Sequence, residues 1–243
     1  MEHWPYPLWI AHRGAGKLAP ENTLAAFKLG ASFGYRAFEC DVKLSSDEVP
    51  FLLHDAVLER TTSGKGSAGE KPWAELSQLD AGCWHSETYR DEHLATLQAV
   101  AAFCIEAGCT LNLEVKPTPG TELRTGQVVA RETAKLWAGH TPPLMSSFQV
   151  EALMGAAEGA PELPRALLLD KLKPGWLDQA KNLGCVAVVT HHPLMDEATL
   201  AAIHGAGMKA LVYTVNDAER AAWLIDHGID GLITDSVDKF KPA

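Results

Sequence analysis

Leu8-Trp9-Ile10-Ala11-His12-Arg13-Gly14 is a short apolar run that ends abruptly in an imidazole, a fixed cation and a glycine. Such a run, closed by a glycine, fits a buried strand. Pro20-Glu21-Asn22-Thr23 follows closely, and residues 23–34 then carry a helical pattern. Asn22 or Thr23 is placed to cap that helix, Leu24, Phe27 and Leu29 give it an apolar surface, and Gly30 or Gly34 is placed to end it. A buried strand that delivers His12 and Arg13 to its exit and turns at once into a helix is the first unit of an α/β chain.

The same alternation runs outward from this stretch. Residues 37–42 form the second predicted strand, on which Glu39 and Asp41 are two apart and share a face. Two carboxylates on one face of a core strand repel each other and require a compensating cation. A turn over residues 45–48 leads into a strand over 49–54. That link is too short for a helical crossover and so predicts a hairpin, with Leu44 opposite Val49 and His54 opposite Glu39. Residues 57–95 break the rhythm. Their Gly-rich part follows no buried strand and opens no helix, so it is read as part of an insertion over the mouth of the fold rather than as a phosphate loop. Helices over 97–107, 124–137, 150–157, 176–183, 197–206 and 218–227 then alternate with strands over 110–116, 143–148, 165–169, 185–190, 209–214 and 230–234. Without the hairpin arm the strands number eight, the count that closes a (β/α)8 TIM barrel. The 243 residues suit one such domain, and no linker or shift of composition divides residues 1–243.

Active sites of such barrels lie at the C-terminal ends of the strands. His12 and Arg13 end the first strand, Glu39 and Asp41 lie near the end of the second, and Asn112, Glu114 and Lys116 share one face of the next. All converge on one mouth, joined by His54 from the hairpin arm. Three carboxylates, Glu39, Asp41 and Glu114, with no soft ligand among them, call for one hard divalent cation, Mg2+ or Ca2+. His12 and His54 can divide the proton transfers, one taking a proton from a nucleophile and one giving a proton to a leaving group. Arg13 and Lys116 offset phosphate charge. Phe148, at a strand end, is placed to line the pocket. The pattern is that of metal-assisted phosphodiester cleavage.

Composition limits the alternatives. A formal net charge of -10 argues against a nucleic-acid surface and against a basic membrane-binding face. There is neither a signal-peptide pattern nor an apolar run long enough for a membrane anchor. Five cysteines with no CxxC pair read as free thiols of a reducing compartment, so a cytoplasmic location is expected. Sequence leaves a homo-oligomer open.

The chain resembles the glycerophosphodiester phosphodiesterase family, of the bacterial cytoplasmic type. The residues that carry the resemblance are His12-Arg13-Gly14, Pro20-Glu21-Asn22-Thr23, Glu39-Cys40-Asp41-Val42, His54-Asp55, Arg60-Thr61-Thr62, Leu113-Glu114-Val115-Lys116, Ser147-Phe148, Tyr213-Thr214-Val215-Asn216 and Thr234-Asp235. The resemblance implies a TIM barrel with an insertion after strand two. It implies His12 and His54 as acid and base, Glu39, Asp41 and Glu114 as metal ligands, and Arg13 and Lys116 as phosphate contacts. It also implies release of sn-glycerol 3-phosphate and an alcohol from deacylated phospholipids, with a glycerol hydroxyl attacking first to give a cyclic phosphate. Tyr213 stands where the family often has tryptophan, in the aromatic wall of the pocket. Glu48 stands where the hairpin turn usually has glycine. Cleavage of lysophospholipids, and a module that binds such diesters without cleaving them, are the competing expectations.

Overall fold

Parallel strands that are apolar on both faces must be covered on both, by helices outside and by one another inside a closed ring. The computed structural model describes residues 4–242 and shows that arrangement. The strands are β1 (Trp9–Ala11), β2 (Ala37–Leu44), β3 (Pro50–Leu52), β4 (Thr110–Val115), β5 (Leu144–Ser147), β6 (Arg165–Leu169), β7 (Ala187–His191), β8 (Lys209–Tyr213) and β9 (Gly231–Thr234). The helices are α1 (Leu24–Ser32), α2 (Trp73–Leu76), α3 (Leu97–Glu106), α4 (Glu122–Leu136), α5 (Val150–Gly159), α6 (Trp176–Asn182), α7 (Glu197–Gly205) and α8 (Ala218–Asp226). β1 pairs in parallel with both β2 and β9, which closes the ring, and β3 hangs antiparallel on the second strand. The eight ring strands form the (β/α)8 barrel.

The two-residue period of each strand sorts its side chains. Ile10, Leu144, Leu168, Val189, Leu211 and Ile233 fill the barrel interior. Cys40, Val42, Leu111 and Leu113 point outward and pack with Phe27 and Val129 of the helical layer. Burying each of these larger side chains contributes about 1.5–3 kcal/mol, so the apolar layers hold the ring shut below a polar mouth.

Two open local choices are decided and one expectation is corrected. Thr23 caps α1, its Oγ1 accepting from the Ala26 N–H at 3.3 Å, whereas Asn22 sits at φ +61° and turns toward Asp41. Gly34, at φ +94°, follows the helix end, but Gly30 lies inside α1. A Cβ on Gly30 would stand 2.1 Å from the Gly14 carbonyl oxygen, so glycine there lets the helix close on the loop that carries His12. The hairpin register is slipped by one residue: Leu44 faces Pro50 and Val42 faces Leu52. Ser45 is the cause. Its N–H donates to Val49 O (3.1 Å) and its Oγ accepts from the Val49 N–H (2.9 Å), so Ser45 rather than Leu44 closes the turn. Continued, this register would set His54 opposite the outward-facing Cys40. The ladder stops at Leu52, and His54 turns into the mouth instead.

Glu48 keeps the left-handed turn conformation at φ +61°. Arg124 grips its carboxylate with two hydrogen bonds of 2.6 Å, and Asp47 Oδ1 accepts from Ser45 Oγ (2.6 Å) and from the Trp73 N–H (2.8 Å). The segment after β3 packs as one layer with its own apolar centre, in which Phe51, Leu53, Leu58, Leu76, Ala81 and Leu94 are buried.

Candidate active site

β2 and β4 are in register with Glu39 beside Asn112 and Asp41 beside Glu114. That register brings the three carboxylates together: one oxygen from each of Glu39, Asp41 and Glu114 lies within 4.8 Å of the others. Glu39 and Asp41 are 3% and 1% exposed, so their charges are held out of water. Glu39 Oε2 accepts from the Arg13 N–H at 3.1 Å. Asp41 Oδ2 accepts from Asn22 Nδ2 at 2.9 Å and lies 3.2 Å from Arg13 Nε. Lys116 Nζ is 2.9 Å from Glu114 and 3.7 Å from Asp41.

The electrostatics divide the cluster. Burial would raise Asp41, but the charges of Arg13 and Lys116 outweigh it and hold Asp41 below its ordinary value. Burial, and then repulsion from Asp41 and Glu114, push Glu39 well above the usual carboxylate range. Glu114 is pushed up to about 7 by burial and by Asp41, against the opposing pull of Lys116. Glu39 Oε1 and Asp41 Oδ1 are buried with no hydrogen-bond partner. An all-oxygen donor set with orphaned carboxylate oxygens fits a hard divalent cation, which would offset the repulsion.

The two histidines reach this cluster from different strands and are held alike. His12 Nδ1 donates to Asp235 Oδ1 at 2.6 Å, leaving Nε2 on the far side of the ring, 3.7 Å from Glu39. His54 Nδ1 donates to Asp55 Oδ1 at 2.7 Å. Asp55 is gripped by Arg60 through bonds of 2.6 and 3.0 Å, which keep it ionised. Arg60 also grips Glu21 with two bonds of 2.8 Å, and Glu21 accepts from Arg13 Nη1 at 2.8 Å. A continuous chain of paired charges therefore runs from His54 through Asp55, Arg60, Glu21 and Arg13 to Asp41. On the other side, Asn216 Nδ2 donates to Asp235 Oδ2 at 3.1 Å. Burial lowers the His54 pKa, despite the field of Asp41.

Sequence reasoning assigned no place in the site to Asp55, Asp235, Arg60, Glu21 or Asn216, and read Asn22 only as a candidate helix cap. Each lies inside a run that carries the family resemblance, and an Asp directly after His54 was the local signal. The partnership of Asp235 with His12 spans 223 positions and becomes visible only when β9 closes against β1.

All nine residues singled out from sequence lie at the mouth. His12, Arg13, Glu39, His54, Glu114, Lys116, Phe148 and Tyr213 line one cavity of about 340 Å³, with Asp41 buried beside them. The Phe148 and Tyr213 rings meet edge to face, 5.8 Å apart, and Lys116 Nζ stands 5.5 Å from the Phe148 ring centre. A larger groove of about 740 Å³ lies outside the barrel between the hairpin tip and α4, away from both histidines. From the insertion, Arg60, Trp84 and His85 border a recess on the other side of His12. His93 is instead hydrogen-bonded to Leu79 O at 3.0 Å, within the insertion.

The model of the glycerophosphoryl diester phosphodiesterase family matches residues 12–239. YhdW of Bacillus subtilis is 32% identical over 235 residues, 94% of each chain. A glycerophosphodiester phosphodiesterase of Caldanaerobacter subterraneus subsp. tengcongensis is 30% identical over 94% of this chain and 93% of its own. An Oleispira antarctica phosphodiesterase, solved in complex with the product sn-glycerol-3-phosphate, superposes with a TM-score of 0.91 at 36% identity, over 96% of this chain and 95% of that one.

Proposed function

Because the chain belongs to the glycerophosphoryl diester phosphodiesterase family and is a glycerophosphodiester phosphodiesterase, we propose that it hydrolyses small, deacylated phospholipids. Glycerophosphocholine and glycerophosphoethanolamine are examples, and sn-glycerol 3-phosphate and an alcohol are the products. The observation that carries this reading is the pairing of two carboxylate-braced histidines with a buried three-carboxylate cluster around one cavity. The bound product of the Oleispira relative supports it.

With Nδ1 of each ring donating to an aspartate, Nε2 is the nitrogen free to accept or give a proton in the cavity. One of His12 and His54 takes the proton of the attacking oxygen, and the other protonates the departing alkoxide as its bond to phosphorus breaks. Asp55 and Asp235 stabilise whichever ring becomes positively charged. Arg13 and Lys116 hold the phosphate oxygens, on which negative charge builds in the transition state. A cation on Glu39, Asp41 and Glu114, Mg2+ or Ca2+, supplies further positive charge when bound. Phe148 and Tyr213 form the apolar wall against which the glycerol carbons lie. A cavity of about 340 Å³ suits a deacylated diester better than one that carries an acyl chain.

No helix among the described residues is long and apolar enough to cross a membrane. The five cysteines are all free, which supports our placement of the enzyme in the reducing cytoplasm, acting in lipid and glycerol metabolism as a single domain.

The test is an assay of glycerophosphocholine and glycerophosphoethanolamine with Mg2+, Ca2+ or EDTA, in wild type and in His12→Ala. Release of glycerol 3-phosphate should depend on the cation and fall at least a hundredfold, as an order of magnitude, in the variant. Turnover that survives both chelation and the substitution rules the mechanism out.

A further inference from the structure

Asn112 shares its face of β4 with Glu114 and Lys116 but has no part in the chemistry above. It is 4% exposed, its side chain lines the catalytic cavity, and its Oδ1 is buried with no hydrogen-bond partner. An amide oxygen buried without a donor is costly, and native proteins seldom tolerate one without cause. Two other orphaned oxygens at the site, Glu39 Oε1 and Asp41 Oδ1, belong to the carboxylate cluster and would be satisfied by a bound cation. Asn112 has none.

Its position explains it otherwise. Asn112 is one pleat repeat below Glu114, about 6–7 Å deeper along the strand. It sits beside Glu39 in the ladder. The extra methylene of Glu39 lets its carboxylate reach the cluster, whereas the shorter arm of Asn112 keeps the amide near the floor. Leu168 and Ile233 line the same cavity and belong to the apolar barrel interior, so the amide is the polar group among these deep neighbours. If Arg13 and Lys116 hold the phosphate as proposed above, the cavity at the level of Asn112 is left for an ester arm.

We propose that Asn112 is a specificity residue that reads a hydroxyl of the glycerol arm, its Oδ1 accepting from the hydroxyl and its Nδ2 able to donate to it. An amide suits this role because it offers both halves of a hydroxyl's hydrogen bonding without adding charge to a cluster that already holds three carboxylates. The inference rests on the functional reading above and refines it: the site selects polyol phosphates over alkyl phosphates of equal length.

The test is calorimetric binding to the cation-loaded protein of two probes, sn-glycerol 3-phosphate and n-propyl phosphate, in wild type, Asn112→Leu and Asn112→Ala. Thermal melts check that each variant is folded. The leucine variant is near-isosteric, and the alanine variant carries the test if leucine is not accommodated. Affinity for glycerol 3-phosphate should fall roughly tenfold, the worth of one buried hydrogen bond, while affinity for propyl phosphate stays level or rises. Equal losses for both probes, no loss for either, or a fall in affinity for Ca2+ alone would each overturn the assignment. A wild-type protein that neither binds glycerol 3-phosphate nor hydrolyses glycerophosphocholine would overturn the functional reading itself. One that does both, with variants that match it, overturns only the role of Asn112.

Discussion

Asp55 and Asp235, drawn from distant parts of the chain, perform the same task for two rings. Each fixes the tautomer of a histidine through Nδ1 and stabilises its protonated form. Replacing either with asparagine keeps the size but removes the charge, and it lets an amide N–H face the ring and favour the wrong tautomer. Asp55→Asn and Asp235→Asn should each lower kcat roughly ten- to a hundredfold with little change in KM. Steady-state kinetics beside an unchanged melting curve check this. Glu114 gives the site a pH dependence. In the cation-free protein its proton is held up to about 7, so below that pH a cation must displace a proton to bind. Cation affinity should therefore rise with pH through about 7, with proton release on binding, to which Glu39, pushed up by burial and by its neighbours' charge, also contributes. Titration calorimetry in buffers of different ionisation enthalpy measures both. An affinity flat between pH 5 and 8 contradicts this account of the cluster.

At the scale of elements, β2 carries the burden. All eight of its residues are buried, with Glu39 and Asp41 turned to the site and Cys40 and Val42 to the outer core. The alternation is legible from sequence because a strand has a period of two. The hairpin register was not legible, because it turned on whether the Ser45 side chain would close the turn, a choice worth one hydrogen bond. Helix packing also hid from pattern reading. α4 and α5 approach so closely that a Cβ on Gly155 would lie 2.0 Å from Leu123 O, and one on Gly126 would lie 2.0 Å from Ala152 O. Neither Gly155 nor Gly126 stands at a helix end, so sequence alone gave them no role. Gly155→Ala should force the helices apart and cost about 1–3 kcal/mol of stability. Denaturant unfolding should show this loss, while kcat per folded molecule stays at the wild-type level because the pair lies outside the ring.

At the scale of the whole molecule, closure of the barrel concentrates like charge that the chain itself keeps apart. The native state gathers Glu39, Asp41 and Glu114 in one place, and a cation that binds them binds only the folded form. Saturating Mg2+ or Ca2+ should then stabilise the fold through that linkage, by about 2.7 kcal/mol at a hundredfold excess over Kd, and so raise the melting temperature. EDTA should reverse the gain, and Asp41→Asn should abolish most of it. Scanning calorimetry at fixed ionic strength separates this from general screening of the net charge of -10. A rise of equal size in the variant shows that the stabilisation lies elsewhere.

Sequence by itself determined the strand and helix alternation, the eight-strand count, and the placing of His12, Arg13, Glu39, Asp41, His54, Glu114 and Lys116 at one mouth. It could do so because burial imposes a short period on each element, and because a parallel barrel presents every strand's C-terminal end on the same side. Tertiary structure alone decided which groups touch. Asp235 braces His12 because β9 lies against β1, and Arg60 links Asp55 to Glu21 because the insertion folds back onto the first loop. These are contacts between distant segments, set by how the ring closes, and no local period in the chain encodes them.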